Sequence, residues 1–317
     1  MDLKSLGEFG LIDIIKGNFT APEGILGIGD DCAIIPKGDG NDFLVSTDML
    51  VEGVHFLMED ADPYNIGWKS AAVNISDIAA MGGKPEGTFL AVALPKGTSV
   101  HAVEEFIRGY RDVSEEYSCP LLGGDTTSSP DRLCICVTAV GEISSGKARL
   151  RSYARPGDLV CTTGFLGDSG GGLRLILEKA PRDADAAELV SRHYLPRPRV
   201  REGIELSSTG GVHAMMDISD GIGSDIRHIL RSSGTGALID VGRLPLSPEL
   251  RRCCDRNGWD PIRLAIEGGE DFELLFTVDP QSEKSLKTSH FVIGEITTDT
   301  NLVWNGSDKD YMGYRHF

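Results

Sequence analysis

No run of roughly 18 consecutive apolar residues occurs in the chain, so no membrane-spanning helix is expected. The opening segment MDLKSLGEFGLIDII lacks the basic start and continuous apolar core of a signal peptide, and the expected location is the cytoplasm. Cysteine is sparse and odd in number, seven in 317 residues with no C-x-x-C pair, which points to reduced thiols rather than a disulfide framework. Neither Cys134 with Cys136 nor Cys253 with Cys254 has the spacing of a zinc site. Positive charge is in deficit: 31 Lys plus Arg stand against 48 Asp plus Glu, a net charge of -17. That balance disfavours nucleic acid or an anionic membrane as the main partner and suits a protein that gathers divalent cations. A P-loop is missing too, because GGKP at 82–85 has no glycine at the required upstream position, and no G-x-G-x-x-G follows a strand. Any nucleotide must therefore be held by other means.

What is present is a regular succession of strand-like and helix-like segments, enough for two domains. FLVSTD (43–48), TFLAVALP (88–95) and LCICVTAVGEI (133–143) read as strands. DPYNIGWKSAAVNISDIAAMG (62–82) opens with an Asp-Pro helix start and spaces Trp68, Ala72, Ile75, Ile78 and Ala79 helically, and 100–117 reads as an amphipathic helix. SSGKARLRSYARPGD (144–158), rich in small, basic and turn residues, is the best boundary. Beyond it DLVCTTG, HAMMDIS, EDFELLFTV and HFVIGEI read as strands, with helices at 168–180, 185–194 and from about Ile222. The expectation is an α/β protein of two halves.

GDSGGG at 167–172 imitates the surroundings of a protease serine. A nucleophilic Ser169 would need a histidine base and a buried carboxylate in the right order, and the adjoining residues LRLILEKA continue as an amphipathic helix. The glycines read better as close helix packing or an anion-facing helix start, so no covalent nucleophile is assigned. Aspartate, by contrast, recurs at the ends of apolar runs: Asp30 and Asp31 in GIGDDCA, Asp48 in STDMLVEG, Asp77 in NISDIAAMGG, Asp125 in LLGGDTT, Asp217 and Asp220 in MDISDGIGSD. Each alone reads equally as a turn or cap. Gathered together they would repel unless divalent ions were shared, and hard oxygen donors of this kind suit Mg²⁺, which in turn binds phosphate oxygens. Ser46 and Thr47 add hydroxyl oxygens beside Asp48, and Arg151 could pair with phosphate.

The motifs GIGDDCA, STDMLVEGVHF, NISDIAAMGGKP, GGDTTSSP, RSYARPGD, MDISDGIGSDI and GGEDFELLFTV, in order from Gly27 to Val278, together resemble the thiamine-monophosphate kinase family. That family belongs to a superfamily with aminoimidazole ribonucleotide synthetase and selenophosphate synthetase. The resemblance implies ATP-dependent phosphorylation of thiamine monophosphate to thiamine diphosphate by direct in-line transfer, assisted by several Mg²⁺ ions. It implies Asp30, Ser46, Thr47, Asp48, Asp77, Asp125, Asp217 and Asp220 as metal ligands, with Asp31 a neighbour or cap. Gly124, Arg151 and Ser219 would contact ATP. His55, Glu270 and a C-terminal aromatic, Phe317 or Tyr314, would contact the thiamine substrate. The implied fold is the two-domain aminoimidazole ribonucleotide synthetase-like α/β (α+β) fold. Residues 1–147 would form an ATP/Mg-binding and dimerisation domain whose copies pair into a barrel-like homodimer core, and 148–317 a C-terminal α/β domain. The family commonly has Arg-Ser-Gly-Ala where this chain has RSYA, so Tyr153 replaces a glycine.

Rival members of the superfamily fit less well. The first cysteine is Cys32, whereas selenophosphate synthetase would place a reactive Cys or selenocysteine near the N-terminus. The chain ends in YRHF without the C-terminal cysteine of the hydrogenase-maturation relative. LVEGVHF and GGEDFELLF favour the thiamine enzyme over aminoimidazole ribonucleotide synthetase. A non-catalytic acidic metal or nucleotide binder is the alternative from another class, separable by product formation.

Overall fold

The computed structural model describes residues 3–314. Its first half runs α1 (Leu3–Asn18), β1 (Ala33–Pro36), β2 (Asn41–Val51), α2 (Pro63–Ala80), β3 (Lys84–Pro95), α3 (Val100–Glu116), β4 (Leu121–Ser129) and β5 (Cys134–Ser144). The five strands form one sheet in the order β1-β2-β5-β3-β4. The second half runs β6 (Leu159–Thr162), α4 (Asp168–Leu177), α5 (Ala184–Tyr194), α6 (Val200–Ser208), β7 (Val212–Asp217), α7 (Ile222–Ser233) and β8 (Gly236–Asp240). It continues through α8 (Pro248–Asn257), α9 (Pro261–Glu267), β9 (Leu274–Val278), α10 (Pro280–Glu283), β10 (Phe291–Thr297) and β11 (Leu302–Asn305), with sheet order β11-β8-β10-β6-β9-β7.

Strand–helix alternation suggests parallel units, yet each sheet contains one parallel pair, β3 with β4 and β8 with β11. The remaining ladders are antiparallel. Of the connections between consecutive strands, β3–α3–β4 alone is a crossover between neighbouring parallel strands; β1 and β2 form an antiparallel hairpin and the other connections within each sheet lead to non-adjacent positions, so alternation does not impose direction. The result is α/β in element order and α+β in pairing.

The helix that organises both halves is α2. Asp62 caps it by accepting from Tyr64 N at 2.9 Å, and Pro63 occupies the first turn, a cap worth about 1 kcal/mol. Its expected apolar positions are buried, but so are Lys69, Ser70, Asn74 and Ser76. A helix buried all round has lost its solvent face to a second layer. Here α2 packs on α3, β2, β3 and β5 of its own half and meets α5, α6 and β7 of the other. Two of its polar residues reach the other half, Lys69 to Glu270 and Ser76 to Asp217, while Asn74 accepts from β2 and Ser70 bonds within the helix.

The junction is tied by the segment expected as a boundary. Leu150 bridges Ala214, Arg149 N donates to Met81 O at 3.1 Å, and Arg151–Tyr153 forms a short 3-10 turn. Tyr153, where the resemblance implied a glycine, is 54% exposed, so its side chain points largely to water. At the far edge of the first sheet β4 exposes residues 121–128, including Leu121 and Leu122.

Candidate active site between the two sheets

Asp31, Asp77 and Asp217 each bring a carboxylate oxygen within 4.8 Å of the others, the one such group among the described residues. They come from three places: the loop before β1, the last turn of α2, and the end of β7. Hydroxyls from α2 and β2 orient two of them, Ser46 Oγ donating to Asp77 and Ser76 Oγ to Asp217 at 2.6 Å. On β2, Ser46 and Asp48 are two residues apart and share the face toward α2, where Asp48 N donates to Asn74 Oδ1 at 3.0 Å. Thr47 points to the other face, its hydroxyl 3.0 Å from Val137 O, to which it donates, and 3.1 Å from Thr138 Oγ1.

The carboxylates by themselves are an electrostatically unfavourable group. Burial, aided by the negative charge of Asp31, pushes Asp48 up to about 6 and Asp217 up to about 7. Asp77 is raised well above the carboxylate range by burial and then by Asp48 and Asp217. Asp31 Oδ2 is buried without a hydrogen-bond partner. Buried like charges and an orphaned carboxylate oxygen are costly unless a cation joins them, and an all-oxygen donor set fits Mg²⁺.

The trio contains Asp31 and not Asp30, whereas the expectation placed Asp30 among the metal ligands and Asp31 beside it. Asp30 Oδ1 instead accepts from Arg151 N at 2.8 Å, and burial raises its pKa to about 6. The Arg151 guanidinium, expected to face phosphate, donates to Asp31. Adjacent residues in a turn point in different directions, and residue type could not reveal which faced the cluster.

Beside the trio lies a cleft of about 670 Å³. It is lined by Thr47, Asp48, His55, Ser219, Asp220, Glu270 and Tyr314 among others, so residues expected at the metal, nucleotide and thiamine positions converge there. His55 Nδ1 accepts from Val51 N at 3.0 Å, which places the neutral ring's proton on Nε2. Tyr314 is fixed to this wall through its N–H, which donates to Asp220 O at 2.8 Å. Phe317 lies outside the described residues. Glu270 sits in a left-handed turn (φ 63°) with its N–H donating to Ser219 O at 2.7 Å.

Gly124 and Asp125 are not brought to this cleft. They line a separate, largely apolar cleft of about 390 Å³ between α3 and β3–β4. Gly124 has φ 155°, and a Cβ there would lie 1.8 Å from Leu90 O, so the position requires glycine. The GDSGGG segment is the start of α4, where Asp271 accepts from Gly167 N (2.6 Å) and Ser169 N (3.0 Å). Gly172 lies against Leu189 O, where a Cβ would come within 2.3 Å, so these glycines permit close packing. The sequence reading missed Lys69, which is fully buried and paired with Glu270; its signal was the one basic residue of α2, set between Trp68 and the small residues Ser70, Ala71 and Ala72.

Residues 29–143 match the family described as AIR synthase related protein, N-terminal domain, and residues 155–304 match its C-terminal domain. A curated relative from Aquifex aeolicus, thiamine-monophosphate kinase, is 37% identical over 318 residues, covering 100% of both chains. The Escherichia coli K12 protein of the same name is 38% identical over 330 residues, covering 98% of each. The solved structure of AaThiL complexed with AMPPCP and TMP superposes with a TM-score of 0.92 at 36% identity, covering 100% of this chain and 99% of that one.

Proposed function

This chain belongs to the thiamine-monophosphate kinase family of AIR synthase related proteins, and on that premise we propose that it phosphorylates thiamine monophosphate at the expense of ATP. The terminal phosphate oxygen of thiamine monophosphate attacks the γ-phosphorus, the bond from that phosphorus to the bridging oxygen of ADP breaks, and thiamine diphosphate and ADP leave. The observation that carries this reading is the single cleft in which Asp48 and Asp220, beside the carboxylate trio, face His55, Glu270 and Tyr314.

Asp31, Asp77 and Asp217 would hold Mg²⁺, with Asp48 and Asp220 at the cleft side. Bound there, Mg²⁺ would neutralise phosphate charge and align donor and acceptor. The chain's own contribution is orientation: Ser46 and Ser76 fix two carboxylates, and the α2 scaffold holds them against a buried, low-dielectric junction. No protein nucleophile is needed, since phosphoryl transfer depends on positioning and charge stabilisation. Of the substrate-facing groups, His55 offers an Nε2–H and Tyr314 an aromatic face. Ser219 would meet ATP, and Arg151 would do so only by leaving or sharing Asp31.

The domain roles belong to the same proposal: 1–147 for ATP, Mg²⁺ and dimerisation, 148–317 for the loop carrying Ser219, Asp220 and Glu270. A second copy of this chain is the proposed cover for the β4 edge, where Leu121 and Leu122 are exposed, because a long exposed edge is a liability if left open. Gly124 and Asp125, on that edge, would reach ATP and metal in the assembled homodimer. Among the described residues no helix is long and apolar enough to cross a membrane, and cytoplasmic location is part of the proposal.

The test is to incubate the purified protein with ATP, Mg²⁺ and thiamine monophosphate and to monitor both products by chromatography. Thiamine diphosphate and ADP should appear in equal amounts. ADP formation, or ATP binding, without thiamine diphosphate would overturn the substrate and make formylglycinamidine ribonucleotide the next acceptor to try.

A further inference from the structure

Lys69 is 1% exposed, in the middle of α2, where an unpaired ammonium would carry a penalty of several kcal/mol. Its Nζ lies 2.8 Å from each Glu270 carboxylate oxygen and 5.9 Å from the centroid of the Tyr194 ring. Glu270 belongs to the other half of the molecule and retains 26% side-chain exposure on the cleft. His193 Nδ1 lies nearby, 3.4 Å from Glu270 Oε2, but its hydrogen bond is with Ser169 Oγ at 2.9 Å. Ser169 is itself anchored through its N–H to Asp271. The His193 ring is buried, which lowers its pKa to about 3 and keeps it neutral. Because Ser169 and Glu270 both face Nδ1, the arrangement is no protease triad, in which serine and carboxylate occupy opposite ring nitrogens.

We infer that Lys69 is a positioning residue that fixes the Glu270 carboxylate in one orientation, as an anion, so that it recognises the positively charged ring portion of the phosphorylated acceptor. This rests on the acceptor proposed above. Three features carry it. Lys69 contacts both carboxylate oxygens, so Glu270 cannot rotate without losing a charge-assisted bond. The left-handed backbone at Glu270 is held by the Ser219 carbonyl, which leaves the side chain few alternatives. Burial alone would raise the pKa of Glu270, and the Lys69 charge with its hydrogen bond overcomes that and lowers it. The ion pair therefore keeps the Glu270 carboxylate charged on the wall of the cleft.

The experiment measures KM for thiamine monophosphate and for ATP separately, in the wild-type protein and in Lys69→Met, Glu270→Gln and the double variant. Loss of a charged hydrogen bond of this kind corresponds to roughly 10- to 100-fold in affinity. In Glu270→Gln and Lys69→Met, KM for thiamine monophosphate should rise by about that factor while KM for ATP moves less than about twofold, a split that general loosening of the junction would not give. Lys69→Met leaves an unpaired buried anion and could fail to fold. The double variant removes both charges, and it should match Glu270→Gln alone if Lys69 acts through Glu270. A double variant clearly worse than Glu270→Gln, or parallel rises in both KM values, overturns the inference. If the wild-type protein makes no thiamine diphosphate, the acceptor reading itself has failed and the inference falls with it. An active wild type whose variants keep its KM for thiamine monophosphate sinks the positioning role alone.

Discussion

Arg151 and Asp31 form an ion pair across the junction of the two halves, guanidinium to carboxylate, while the backbone N–H of the same arginine holds Asp30. One residue of the connecting segment therefore takes up both members of the aspartate pair. It leaves Asp31 Oδ2 as the oxygen without a partner, in a trio with Asp77 and Asp217.

The two aspartates should consequently differ in importance. Asp31→Asn is expected to lower kcat by at least about 10²-fold at saturating Mg²⁺, in line with losing one charge-stabilising group. Asp30→Asn should cost far less, since an amide oxygen can still accept from Arg151 N. Steady-state assays of both variants decide it, and the reverse order would return the ligand role to Asp30.

Asp77→Asn should separate stability from activity. The carboxylate is buried among like charges, so removing its charge ought to raise Tm in chelator-treated protein while abolishing Mg²⁺-dependent turnover. Asp220→Asn should likewise remove activity and keep the fold. Thermal unfolding with EDTA, paired with the product assay, is the check; full activity in either variant would sink the carboxylate-array mechanism.

The pH dependence has a definite sign. Asp48 and Asp217 have pKa values raised from 3.8 to about 6 and about 7, so between these limits the folded protein holds protons the unfolded chain has released. Stability from these groups is then full below the ordinary carboxylate pKa and declines as pH rises through about 6 to 7. Mg²⁺ requires the protons to be gone, so its stabilising effect should grow in the same interval. Differential scanning measurements at about pH 5.5 and about pH 8 should give a larger Mg²⁺-induced rise in Tm at the higher pH. An equal rise at both would contradict the assigned shifts.

Gly67 and Gly109 let α2 and α3 touch backbone to backbone. A Cβ on Gly67 would lie 1.9 Å from Phe106 O, and one on Gly109 1.9 Å from Tyr64 O. Gly67→Ala should destabilise the protein by about 1–3 kcal/mol through forced separation of the helices. Urea unfolding would read this as a lower midpoint with unchanged slope, and an unaltered midpoint would mean that the helices do not pack this closely.

Much is written locally. Asp62-Pro63 and the spacing of Trp68, Ala72, Ile75, Ile78 and Ala79 announce α2, because a cap, a fixed φ and a 3.6-residue period act within a few residues. The β2, β3 and β5 runs are equally legible, and the aspartate-bearing motifs identify the family and the chemistry it needs. What the sequence left open depends on partners distant along the chain. β4, LLGGDTTSS, has little strand propensity and exists by pairing with β3. Whether Asp30 or Asp31 turns toward Asp77 and Asp217 is decided by Arg151, 120 residues beyond Asp31. Lys69 reads as an ordinary solvated lysine until the second half closes over α2 and sets Glu270 against it. Local rules give elements and residue types, whereas burial and charge pairing arise only when the two sheets meet across α2, and they determine what each carboxylate can do.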